Sequence, residues 1–113
     1  MKVIAKPIEM IAWFEEDGTP NPVRFKIVKE DGSNSVIKID RVICKDKEKL
    51  AGNEMIIFRC QSIINGLERL FEIKYELRTC KWILFKIWRS RGLKLMKKNM
   101  EEWIGKGGLE QMI

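Results

Sequence analysis

The sequence predicts a mainly β domain, a meander of about six antiparallel strands, and three observations carry that prediction. The stretch EMIIFRCQSIINGLERLFEIKYEL at 54–77 holds two apolar runs joined by Asn65-Gly66. That dipeptide suits a two-residue type I′ turn, whose central residues both need positive φ. Turn-forming pairs recur at Asp17-Gly18, Asp31-Gly32, Asn65-Gly66 and Thr79-Cys80, spaced by 14, 34 and 14 residues. Between them lie runs rich in Val, Ile and aromatic residues, the composition of strands.

The hairpin at 54–77 organises the rest. With Asn65 and Gly66 as the turn, Ile64 faces Leu67, Ser62 faces Arg69, Cys60 faces Phe71, Phe58 faces Ile73 and Ile56 faces Tyr75. Nearly the whole apolar set then falls on one side. The other side pairs Met55 with Glu76, Ile57 with Lys74, Arg59 with Glu72 and Gln61 with Leu70, and is expected to be the wetter face.

The remaining elements follow from the same periodicity. Val3 to Phe14 reads as a first strand with Ile4, Ile8, Met10, Ala12 and Phe14 on one face. Pro7 lacks an N–H and calls for an edge position or a bulge. Glu15 to Pro22 is dense in turn formers and forms a surface loop. Val23 to Lys29 sets Val23, Phe25 and Ile27 against Arg24 and Lys26, a half-buried strand, and the loop at 30–35 reverses the chain at Asp31-Gly32. In Val36 to Cys44 the apolar set begins on Ile37 and Ile39 and continues as Val42, Ile43 and Cys44. Such a change of phase places a bulge near Asp40-Arg41 or buries both faces at the strand's end. Lys45 to Asn53 reads as a charged excursion, with room for one helical turn, that ends at Gly52-Asn53.

Lys81 to Trp88 is apolar on both faces and is expected inside the sheet. A three-residue loop at 79–81 would set Ile83, Phe85 and Ile87 beside Leu77, Tyr75 and Ile73, with the alternative register left open. Leu93, Met96, Met100, Trp103 and Ile104 then recur at helical spacing between Gly92 and Gly105, predicting one amphipathic helix of about three turns. Strands this short, each with an oily face, must curl into a small SH3-like or partly open barrel, or be covered by that helix. The chain divides into an antiparallel β domain over 1–90 and a C-terminal helix and tail over 91–113, packed on the domain or on a partner.

Composition bounds the function. Of the 113 residues, 45% are hydrophobic and 34% charged, the balance of a single globular domain. No apolar run approaches the roughly 18 residues of a transmembrane helix, and Pro7 and Glu9 interrupt what would be a signal sequence, so the expectation is a cytoplasmic protein without a membrane partner. Cys44, Cys60 and Cys80 are widely spaced and the chain has no histidine, which argues against zinc and for reduced thiols with Cys60 in the core. No metal or cofactor is expected.

Residues 1–77 carry thirteen Lys or Arg and thirteen Asp or Glu, whereas 78–113 carry nine bases and three acids. The whole net charge of +6 therefore sits in the last third. Lys81, Lys86, Arg89, Arg91, Lys94, Lys97 and Lys98 interleave with Trp82 and Trp88, a composition that can track phosphates and stack bases. The plainer reading is a solvated helix face with both tryptophans in the core. Met96, Met100 and Trp103 form a stripe suited to a second copy or another protein, so homodimerisation is the alternative.

Catalysis would have to rest on carboxylates and lysines. The acidic clusters Glu15-Glu16-Asp17 and Asp46/Glu48 fall in expected loops, where solvation is the ordinary role. Glu68, Glu72 and Glu76 could resemble a metal ladder, but Arg59 opposite Glu72 favours a salt-bridged sheet face. A non-enzymatic binding or accessory module is the reading that remains.

Two segments, PIEMIAWFEEDGTPNPVRFKI at 7–27 and CQSIINGLERLFEIKYELRTCKWILFKI at 60–87, resemble small uncharacterised bacterial domains of clostridia and bacilli. More distantly they are similar to an uncharacterised actinobacterial domain that accompanies Y-family-polymerase-like DNA-damage proteins. The similarity includes Ile37-Lys38-Ile39-Asp40-Arg41-Val42 and Thr79-Cys80-Lys81-Trp82-Ile83-Leu84, and it spans 3–88. Where the latter motif has Gly, this chain has Cys80, which leaves the turn type open. The resemblance implies a β-barrel-like fold and carries over no catalytic residue.

Overall fold

The structure, a computed structural model, describes residues 2–88. Seven strands run β1 Lys2–Phe14, β2 Pro20–Val28, β3 Asn34–Lys38, β4 Arg41–Leu50, β5 Asn53–Ile64, β6 Leu67–Glu76 and β7 Lys81–Trp88. They form one open antiparallel sheet in the order β3-β2-β1-β7-β6-β5-β4. No helix occurs among the described residues, and the expected C-terminal helix lies outside them.

The β5–β6 hairpin has the register that the turn dictates. Asn65 and Gly66 have φ of 52° and 78°, and the pairs from Ile64↔Leu67 to Met55↔Glu76 run without a break. Phe58, Cys60, Phe71 and Ile73 are buried on one face, where Tyr75 and Trp82 join them. The Tyr75 and Trp82 rings lie 4.6 Å apart and those of Phe58 and Trp82 5.6 Å. Phe25 of β2 meets Phe71 of β6 at 5.5 Å, although β1 and β7 separate their strands in the sheet. Such a contact requires the sheet to curl over its own inner face.

The curl is fastened where the phase of the third strand changes. β3 and β4 are the two edges of the sheet, yet only Ile39 and Asp40 separate them in sequence. Ile39 N–H donates to the Val23 carbonyl at 2.9 Å, and Asp40 N–H to the Gln61 carbonyl at 3.1 Å. The buried Ser62 hydroxyl donates to the Lys38 carbonyl at 2.6 Å, and Ile63 N–H to the Asp40 carboxylate at 2.8 Å. One expected strand thus serves both edges, so the count is seven rather than six.

Two local expectations are corrected, and one register left open is decided. Residues 45–50 are strand rather than an excursion: β4 pairs with β5 down to Leu50↔Asn53 and turns at Ala51-Gly52, with φ of 51° and 82°. Its alternating Lys and acid residues resemble a loop in composition, but charge is what an exposed edge strand carries to resist pairing with another chain. At the β6–β7 turn the alternative register holds, with Tyr75↔Trp82 and Ile73↔Leu84 and a shift that leaves Phe85 between paired positions. A longer loop, closed by Cys80 N–H on the Glu76 carbonyl at 2.8 Å, moves β7 out of the three-residue register.

The outer face of β5 and β6 is also not the wetter one. Leu70 is fully buried, Glu72 and Lys74 are 4% and 7% exposed and Ile57 is 8% exposed. The expected Arg59–Glu72 pair does form, at 3.5 Å, and Lys74 reaches Glu48 at 3.1 Å while lying 3.7 Å from the Phe85 ring centroid. Pro7 follows a bulge between Val3 and Lys6, on a stretch of β1 that pairs with β7 before pairing with β2 begins at Glu9. Pro7 itself stands opposite Ile83 of β7 and has no partner strand on its other side.

Cys80 adopts φ of 60°, a conformation that costs a non-glycine residue about 1 kcal/mol or more. Cys80→Gly is expected to raise stability by about 1 kcal/mol in urea denaturation, less whatever the freer unfolded chain takes back. The Glu76 carboxylate accepts from the Thr79 hydroxyl and from the Asn53 amide at 2.7 Å, and these bonds hold its pKa below the ordinary 4.5. A depressed folded pKa gives stability that is present above the unfolded value and lost as pH falls through the folded one. The urea midpoints of the parent and Glu76→Gln are therefore expected to differ at pH 7 and to draw together progressively as pH falls below the ordinary 4.5.

Candidate functional site

Of the sequence-predicted basic residues, the structure describes Lys81 and Lys86. Lys81 is exposed at the start of β7 opposite Glu76, and Lys86 lies half-buried opposite Glu72, 5.3 Å from the Phe85 ring centroid. Five positions along a strand separate them by roughly 16 Å, so these two do not form a patch. Arg89, Arg91, Lys94, Lys97 and Lys98, and the stripe Met96, Met100 and Trp103, lie outside the described residues.

A different surface gathers cations around an exposed ring. On β1, Ile8, Met10 and Ala12 pack against the core, which turns Ile11 and Trp13 to the opposite face at 56% and 57% exposure. On β2, burial of Phe25 sends Arg24 outward, and on β3 burial of Ile37 does the same for Val36 and Lys38. The register then places Ile11 opposite Arg24 and Arg24 opposite Lys38, with Trp13 opposite Asn21 in the next row. In the row on the other side, Glu9 pairs with Lys26, and Val36 stands opposite Lys26 at 65% exposure.

The electrostatics of this face are uneven. Lys26 has Glu9, but Arg24 and Lys38 have no carboxylate within 4 Å among the described residues. Directly opposed like charges destabilise a sheet, and an anion between them would reverse the sign. A groove of about 240 Å³ crosses the face, lined by Glu9, Ile11, Arg24, Lys26 and Val36 among others. It shares Glu9 and Lys26 with a larger cavity of about 740 Å³, where the first half of β1 splays from the end of β2. There Lys2 and Lys6 stand over a floor of Ile4, Ile8, Leu84 and Ile87, and Lys6 Nζ donates to the Val28 carbonyl at 3.2 Å.

The acidic clusters have another character. Asp17 is exposed in the β1–β2 turn, where its carboxylate accepts from Thr19, and that bonding lowers its pKa. It lines a hollow of about 580 Å³ with Lys45, Asp46 and Lys47. A general acid at neutral pH needs the opposite shift. Among the described residues no group of three His, Cys, Asp or Glu could hold a metal ion, and no helix is long and apolar enough to cross a membrane.

Strand parity alone would have turned Trp13 and Arg24 outward. Their assembly with Lys38 needs the pairing of β1, β2 and β3 across a shift at Ile11/Ala12, which no local pattern announces. No family model, curated protein or solved structure was found to match the chain.

The opposed cations make a prediction about the fold itself. Lys38→Glu, which places a carboxylate across from Arg24, is expected to stabilise the protein by about 0.5 kcal/mol in urea denaturation at low salt, and the gain should shrink as salt is added.

Proposed function

We propose that this chain is a non-enzymatic, cytoplasmic module that binds single-stranded nucleic acid, built on a small partly open barrel of SH3-like type. The observation that carries the reading is the Arg24–Lys38 pair, two cations opposed with no carboxylate near them among the described residues, beside the exposed Trp13 ring. Phosphates neutralise such a pair, and every base has a face that can stack on an indole. Unpaired strands suit this surface better than a duplex, whose bases are already stacked on one another. The surplus of bases in the last third, Lys94, Lys97 and Lys98 among them, adds charge of the same sign. An enzymatic reading has less support, because the lowered pKa of Asp17 suits solvation better than proton transfer.

Fluorescence anisotropy with a labelled oligothymidylate, repeated across a salt series, tests the proposal. Affinity should fall steeply with salt, and Arg24→Ala with Lys38→Ala should reduce the slope of log K against log salt by about 1.4, near 0.7 for each single-strand phosphate no longer neutralised. Lys94, Lys97 and Lys98 changed together to Ala should reduce it by about 2. Trp13→Ala should weaken binding by about 1–3 kcal/mol while leaving the slope unchanged. Absent or salt-insensitive binding would remove the proposal.

A further inference from the structure

The outer face of β5, β6 and β7 is more apolar than water-facing sheet should be. Ile57 and Ile83 flank Lys74 in one row, Leu70 pairs with Trp88 in another, and Phe85 lies under the Lys74 ammonium. Leu70 and Trp88 have no exposed surface, whereas Ile11 and Trp13 on the outer face of β1 are more than half exposed. Every described element belongs to this one sheet, and the contacts between strands that are not sheet neighbours, such as Phe25 with Phe71, lie on its inner face, so no described element lies across the outer one. A sheet oily on both sides requires a second layer.

We infer that residues 89–113 of this chain supply that layer, docking their apolar stripe on the outer face of β5–β7. The segment departs from Trp88, itself on that face, so no connection has to cross the molecule. Leu93, Met96, Met100, Trp103 and Ile104 supply apolar residues at helical spacing between two glycines. A helix of about 12 residues reaches about 18 Å, enough to cross three strands whose outer axes are about 10 Å apart. In the same spacing Lys94 and Lys98 fall on the side away from the stripe, and Lys97 falls at its border, where a long side chain can still carry its ammonium to water. This docking does not depend on nucleic-acid binding.

Hydroxyl-radical footprinting of the full chain tests it without any variant. Met96, Met100 and Trp103 should oxidise several-fold more slowly than in a synthetic peptide of residues 89–113, and equal rates would overturn the inference. Sedimentation under the same conditions should give the mass of one chain; a dimer whose protection disappears on dilution would mean that a second copy covers the face instead. Trp103→Lys in the full chain should lower the thermal midpoint by about 5 °C or more and increase uptake of an apolar dye. An unchanged midpoint with no gain in dye would equally count against the docking.

Discussion

The left-handed pair Asn65-Gly66 is the constraint on which the remaining geometry depends. A turn with both central residues at positive φ admits one register, and that register sends Phe58, Cys60, Phe71, Ile73 and Tyr75 to a common side. Each such side chain gains about 1.5–3 kcal/mol on burial, so a slip by one residue would forfeit several of these at once and expose the set to water. The turn preference alone is far smaller than that sum. Local chemistry selects the register, and the core makes it irreversible.

Curling follows from the same parity. Phe71 can meet Phe25 of β2 only if the sheet rolls over its inner face, and the roll brings the edges β3 and β4 toward one another. The chain uses this closeness by letting two residues, Ile39 and Asp40, step between edges while their N–H groups bond to Val23 and Gln61 on opposite sides of the gap. Ser62 tightens the step because its hydroxyl, wholly buried, has the Lys38 carbonyl as its partner. A buried hydroxyl without a partner would be costly, which makes the corner a specified feature rather than a loose crossing.

What could be read in the sequence was whatever a strand records about itself. The hairpin register, the phase break at Asp40, the two-faced apolarity of 81–88 and the Arg59–Glu72 pair are all properties of one strand or one turn. Elements whose identity depends on a neighbour were less legible. Residues 45–50 are strand because β5 offers them a ladder, and the β6–β7 register depends on the loop that Cys80 closes with a positive φ. The Arg24–Lys38 pair belongs to this second group, since it exists only through the pairing of three strands around an irregularity.

The two outer faces of the sheet therefore have different physical roles. Over β5–β7 the charges are held against opposite charges or an aromatic ring, as Lys74 is by Glu48 and Phe85, and the apolar residues around them are withdrawn from water. Such a face is finished by packing. Over β1–β3 the reverse holds: a tryptophan, an isoleucine and a valine stay exposed, and two cations oppose one another at a cost to the fold. Folding accounts for the paired charges of the first arrangement but gives no reason for the opposed cations of the second. Under the proposed reading, an anion carrying planar groups would neutralise the opposed cations and stack on the exposed ring, relieving both features together.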